Sequence, residues 1–215
     1  MSDAPFAVRL DLPGWTLAWA ELRVDPENST APAHAALVET IARARARHGE
    51  ALSAEHPTVT AIRKLFRAAG CDPTRYRPSS EALLRRVLKG EDLAAIQPLV
   101  DLNNALSIDL AVPSCIMAAE SMEPPLVLRA GAPGETFESL RGPFSLEGKP
   151  LLADAQGSLG TPITDSVRVK IQQDTAHAWL VAYLPKDVVF AGEADRTLRD
   201  LAARSEVEVG RVFGV

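Results

Sequence analysis

The sequence is poor in the residues that build covalent and metal scaffolds. Only two of its 215 residues are cysteine, Cys71 and Cys115. Two thiols cannot form a disulfide framework, and without an export signal they are expected to be reduced. The four histidines, His34, His48, His56 and His177, show no metal-ligand spacing with each other or with the cysteines, so no metal site is expected. No apolar run of about 18 residues exists, which excludes a membrane-spanning helix. The first residues, MSDAPFAVRLDLPGW, lack a basic stretch followed by an apolar one, so a secretory signal is not expected and a cytoplasmic protein is. Basic charge is also scarce: the net charge is −5 and the pI about 5.4. Proteins that bind nucleic acid over their whole surface are usually basic, so any RNA contact here must use a local patch.

What remains is the mix of an ordinary globular domain, 47% apolar and 24% charged. The length is long for one domain and short for two, and a single domain with a large core is expected. Phe6 to Leu12 and Trp15 to Val24 alternate apolar and polar residues and read as strands, joined through Pro13-Gly14 into a hairpin. Helices are expected over Pro32 to His48, Pro57 to Ala69, Glu81 to Lys89 (capped by Ser79 or Ser80), Pro98 to Leu110, and Glu193 to Arg204. Gly70 and Gly90 sit where glycine ends a helix. Short strands are expected at Leu126 to Leu128 and Pro150 to Ala153, a loop bracketed by Gly157 and Gly160, and paired strands at Val167 to Ile171 and Ala176 to Leu184. Strands, helices, strands and a helix follow one another in blocks. This segregation predicts an α+β fold with a mixed or antiparallel sheet.

Three stretches carry a resemblance. They are Arg75-Tyr76-Arg77-Pro78-Ser79-Ser80-Glu81-Ala82-Leu83-Leu84-Arg85-Arg86; Pro98-Leu99-Val100-Asp101-Leu102-Asn103-Asn104, followed by Pro113; and Asp165-Ser166-Val167-Arg168-Val169-Lys170 running into Asp174-Thr175. In that order, over roughly Pro57 to Pro185, the chain resembles free-standing B3/B4-type domains and is similar to the editing domain of the phenylalanyl-tRNA synthetase β subunit. The resemblance implies one domain over 1–215, with a family core at 57–185. Residues 1–56 extend or complete it, and 186–215 add a helix. It implies a tRNA 3′ end or aminoacyl-tRNA as partner, no cofactor, and metal-free hydrolysis of a mischarged aminoacyl ester. Carried over by position, Asn104 lines the pocket, and Gly157 and Gly160 belong to the loop around the substrate. Cys115 stands where the family has a histidine, and Val181 where it has the glutamate that reads a tyrosine hydroxyl. An apolar residue cannot bond a phenol, so a preference for tyrosine does not carry over.

Each candidate has a plainer reading. Asn104 can brace a helix instead of lining a pocket. Cys115 can be a nucleophile or a small buried hydrophobe. Thr161, Thr164, Asp165 and Ser166 form a polar loop that can hold a water or a substrate amine, or simply make a turn. Asn103 is expected to be exposed, Arg168 and Lys170 to face solvent from a strand, and His177 to be structural. Basic residues gather at Arg63, Lys64, Arg67, Arg75, Arg77, Arg85, Arg86 and Lys89, the best candidates for phosphate contact in an acidic chain. The rival to an editing enzyme is a module that binds a free amino acid, a small ligand or a protein partner without catalysis.

Overall fold

The computed structural model describes residues 4–53 and 55–215. It is an α+β fold built on two four-stranded sheets. The larger sheet comprises β2 (Trp15–Arg23), β3 (Ser114–Ala118), β9 (His177–Pro185) and β10 (Glu208–Gly214), in the antiparallel order β10-β2-β9-β3. Period-two alternation sorts its side chains. Trp15, Leu17 and Trp19 of β2 point to one face, Ala18 and Ala20 to the other. On the small-residue face, Ala18 pairs with Ala182 and Ala20 with Leu180, and Ala194 and Leu198 approach from α5 (Ala191–Ser205). Alanines there let the helix lie close to the sheet. On the aromatic face, Trp19 stacks on Phe213, and Phe6 meets Trp19, Trp179 and Phe213 edge-on at 5.0–5.3 Å. Both faces are covered, which is why β9 reads as a continuous apolar run.

α1 (Ala31–His48), α4 (Pro98–Leu110) and α5 pack against one another, with α4 and α5 on the large sheet. α2 (Pro57–Ala68) presents Val59, Ile62 and Phe66 to the core, and Phe66 reaches Trp15 at 6.2 Å. α3 (Ser79–Leu88) packs against both α1 and α4. The helices run as the apolar spacing predicts. Pro78 occupies the position before α3, however, and neither Ser79 nor Ser80 caps it through its side chain.

The second sheet has the order β1-β4-β7-β8, from β1 (Val8–Leu10), β4 (Leu126–Ala130), β7 (Pro150–Asp154) and β8 (Gly157–Gly160). β5 (Thr136–Ser139) and β6 (Gly142–Ser145) form a separate hairpin. Three expectations are corrected here. β1 and β2 are not a hairpin: beyond Gly14, at φ +83°, the chain enters the other sheet, and β1 pairs in parallel with β4 through Val8 and Leu126. Alternation fixes which face a side chain takes but says nothing about the partner strand. Val167–Val169 is a 3-10 turn and not a strand beside β9, whose neighbours are β2 and β3. The Ser166 hydroxyl caps this turn by accepting from the Arg168 N–H. Val169 is buried while Val167 is 45% exposed, which a strand would not do. Gly157 and Gly160 are the ends of β8 and not a loop.

Candidate functional site

A cleft of about 730 Å³ opens where α3, α4, the start of β3, the β5–β6 hairpin and the loop after β8 meet. Its floor is polar. Asn103 and Asn104 come from one turn of α4 and Ser107 from the next, Ser114 from β3, and Asp165 from the loop. Leu83, Leu93, Ile96 and Ile163 add apolar wall. Arg75, Arg77, Arg86 and Arg141 surround it; Arg75, Arg86 and Arg141 are exposed.

Short local bonds hold the loop that carries Asp165. The Thr161 hydroxyl donates to the Thr164 carbonyl at 2.9 Å and accepts from the N–H groups of Ile163 and Thr164 at 3.1 and 3.0 Å. Thr161 is buried in this turn and does not line the cleft. The Ser79 N–H donates to the Pro162 carbonyl, tying the loop to the start of α3, and the Leu140 N–H donates to the Asp165 carbonyl, tying it to the hairpin. On the opposite wall Ser114 donates to the Asn103 carbonyl at 3.3 Å, and Ser107 to the Val112 carbonyl at 2.9 Å.

Asp165 is the titrating group of the site. Burial raises its carboxyl pKa to about 6, and a hydrogen bond from the Cys115 thiol opposes part of that rise. Cys115 lies in β3 directly behind the floor, fully buried; burial first, and the Asp165 charge next, push its thiol well up. A neutral, buried thiol is neither nucleophile nor lining residue. Val181 is its register partner on β9 and is buried as well. Cys115 and Val181 therefore lie behind the floor and, contrary to their expected place in a substrate pocket, are not among the residues that line the cleft. Tyr183 lies in the same layer. Its hydroxyl is buried with no partner among the described residues, and burial raises its pKa. Gly160 is what lets this layer close: a Cβ there would stand 3.1 Å from Asp165 Oδ1 and 3.5 Å from Cys115 Sγ.

The two glycines go to different places. Gly160 lies against Asp165, but Gly157 is at the other end of β8, with φ +132° and open space about it. Its N–H donates to Asp154 Oδ1 at 3.2 Å and its carbonyl accepts from Arg168 at 3.3 Å. Gly157 does not line the cleft, and its N–H is not free to steer a water. Arg168 is not on a solvent face either: it pairs with the buried Asp154 carboxylate at 2.8 Å. Asn103, expected outside, is 9% exposed and lines the cleft, with its side-chain oxygen buried and without a partner among the described residues.

The basic residues divide too. Arg75, Arg77 and Arg86 reach the cleft, whereas Lys64, Arg67, Arg85 and Lys89 are exposed elsewhere on α2 and α3 and just beyond. Arg63 is committed to the buried Glu81, whose Oε1 it shares with Arg77, each at 3.3 Å. His177 pairs with Glu21 at 3.0 Å, away from the cleft. Sequence reasoning missed Arg141 and Phe144 of the hairpin. Neither carries a motif; only the fold of the hairpin against the 161–165 loop brings them in. Among the described residues no group of three or more His, Cys, Asp or Glu side chains could hold a metal ion, and no helix is long and apolar enough to cross a membrane.

The B3/4 domain family matches residues 61–208. This chain belongs to the B3/4 domain family. No curated protein matches it. Among solved structures it is similar to an N-terminal fragment of the phenylalanyl-tRNA synthetase β subunit from Pyrococcus horikoshii, at 16% identity and a TM-score of 0.47. That match covers 97% of this chain and 51% of the other, so this B3/4 chain spans about half the length of the solved fragment. Within the B3/4 chain, β2 lies before the matched residues yet sits between β10 and β9 in the large sheet, so the N-terminal strands are integral to the fold.

Proposed function

We propose that the cleft receives the aminoacylated 3′ end of a tRNA and that the protein hydrolyses a mischarged aminoacyl ester in trans. The observation that supports this most is the pairing, in one 730 Å³ cleft, of an arginine border with an amide and carboxylate floor. Guanidinium groups hold phosphates through paired, charge-assisted hydrogen bonds. The Asn104 amide donates to the ester carbonyl as negative charge develops there. Asn103 lies beside Asn104, with a side-chain oxygen that is buried and has no partner among the described residues, an acceptor that a turn of the amide would offer to the ammonium group of the amino acid. Asp165, with its pKa near 6, is the base that takes a proton from the attacking water. An aminoacyl ester is already activated, so orientation supplies much of the rate. The apolar wall of Leu83, Leu93 and Ile163 favours an apolar amino-acid side chain.

Purified protein incubated with a panel of mischarged aminoacyl-tRNAs is expected to release the amino acid from at least one. Asp165→Asn should lower turnover about 10²- to 10⁴-fold, the usual range for loss of a general base, with little change in tRNA affinity. Absence of hydrolysis across the whole panel would remove the deacylase reading. A second reading has one observation in its favour: a carboxylate and an arginine facing one cleft also fit the two charges of a free amino acid. Thermal stabilisation by free amino acids, with no effect of tRNA, would favour that non-catalytic role.

A further inference from the structure

One wall of the cleft is aromatic, and nothing in the deacylase mechanism uses it. Tyr76, from the loop before α3, and Phe144, from β6, meet edge-to-face with centroids 6.0 Å apart. Phe137 supports Phe144 from β5 at 5.8 Å and 90°. Both Tyr76 and Phe144 line the cleft and are only partly buried. Beside them lies an unusual cation. Lys149 is 3% exposed, with its ammonium 3.9 Å from the Tyr76 centroid and 5.4 Å from that of Phe144. Its hydrogen bond is to the Glu147 carbonyl at 3.4 Å. Lysine normally threads its charge out to water, and a buried ammonium is costly. Here the charge is kept against the rings, where low polarity extends its pull on an anionic ligand. The Arg75 guanidinium adds a second cation 5.1 Å from the Tyr76 ring, and Arg141 stands on the same hairpin as Phe144.

Ring faces among cations are the chemistry of single-stranded nucleic-acid sites, where bases stack and basic groups follow the phosphates. Resting on the reading of the cleft as a tRNA-end site, we propose that the Tyr76–Phe144 wall is a nucleobase subsite that stacks the terminal base, with Arg75 and Arg141 on the adjoining phosphates. A base fits this wall better than an aromatic amino acid. The wall stands beside the exposed Arg75 and Arg141, where a ring with a phosphate next to it belongs.

The test is fluorescence anisotropy on the full chain with a short ribo-oligonucleotide ending in CCA, against the same oligonucleotide with an abasic last position. The wild type is expected to bind the intact end about tenfold more tightly, within the range for one stacked base. Phe144→Leu and Tyr76→Leu should abolish that preference while leaving affinity for the abasic end unchanged. Equal wild-type affinity for the two oligonucleotides overturns the subsite even if neither variant folds. So does failure to bind either, or displacement of the intact end by free phenylalanine or tyrosine with no cost for losing the base. The two proposals fail separately. Ester hydrolysis without a base preference removes the subsite and keeps the deacylase, and a base preference without hydrolysis does the reverse.

Discussion

Asp165 illustrates how much of this protein's chemistry is set by the layer behind a side chain. The residue lines the cleft, but Cys115, Gly160 and Tyr183 deny it water from behind, and its pKa rises to about 6. A raised acid pKa means the native state holds its proton over a range in which the unfolded chain has released it. Asp165 therefore opposes stability progressively as pH rises from about 4 to about 6, and the full cost is present above that. Asp165→Asn is expected to raise stability at pH 7.5 by roughly 1–3 kcal/mol, since each pKa unit is about 1.4 kcal/mol. The gain should vanish near pH 4, as urea titrations at both pH values would reveal. Deacylation should move the opposite way, increasing with pH through about 6 as the base ionises. A stabilised but inactive variant is the signature of a residue kept for chemistry; unchanged activity would assign Asp165 to structure alone.

The elements around the cleft are pinned by a few directed contacts. The 3-10 turn at 167–169 is fastened to the β7–β8 turn by Arg168, which bonds both oxygens of Asp154. Burial acts to raise the Asp154 pKa. The Arg168 hydrogen bond and the N–H groups of Glu123 and Gln156 outweigh that and hold it below the ordinary value. Its contribution is therefore present above about pH 4 and lost as pH falls below it. Arg168→Ala leaves a carboxylate with 0% side-chain exposure unpaired. The expected cost is about 3–5 kcal/mol at pH 7, the range for breaking a buried pair, read as a lower urea midpoint. The neutral pair Asp154→Asn with Arg168→Met should recover part of it. At the other end of the fold, Phe213 of β10 is enclosed by Trp19, Trp179 and Phe6. Phe213→Ala should cost about 3–5 kcal/mol. That loss would show that β10, in the segment expected to add only a helix, closes the large sheet.

For the molecule as a whole, the proposed role would bring a chain of net charge −5 to a polyanion. Four arginines, Arg75, Arg77, Arg86 and Arg141, line one cleft, Arg77 and Arg86 with Glu81 and Glu91 as ion partners, while Asp195, Asp200 and Glu39 pair with Arg199 and Arg204 of α5. Binding of tRNA should therefore weaken with salt, with each cleft arginine that contacts a phosphate adding about 0.7 to the slope of log affinity against log salt for a single-stranded end. Replacing Arg75, Arg86 and Arg141 together by Ala is expected to flatten that slope. Replacing Lys64, Arg67 and Arg85 should leave it unchanged, because those groups face elsewhere. Equal effects of the two sets would mean that RNA contacts a wider surface than the cleft.

Much of the fold was legible in the chain because helices are local. The spacing of Val59, Ile62 and Phe66, or the glycines at 70 and 90, reports a helix and its end without reference to anything distant. The α+β class followed from the order of such segments. Strand partners were not legible, since β1 pairs with β4 more than a hundred residues on, and a period of two is the same whichever edge a strand joins. The site divided along the same line. Asn104, Asp165, Arg75, Arg77 and Arg86 could be nominated from residue type and motif, and they line one cleft. That Cys115 and Val181 lie behind its floor, that Gly157 serves Arg168 and Asp154, and that Arg141 and Phe144 complete a wall depend on pairing in space. Local preference is written in neighbouring residues; burial and charge environment arise only when remote segments pack together.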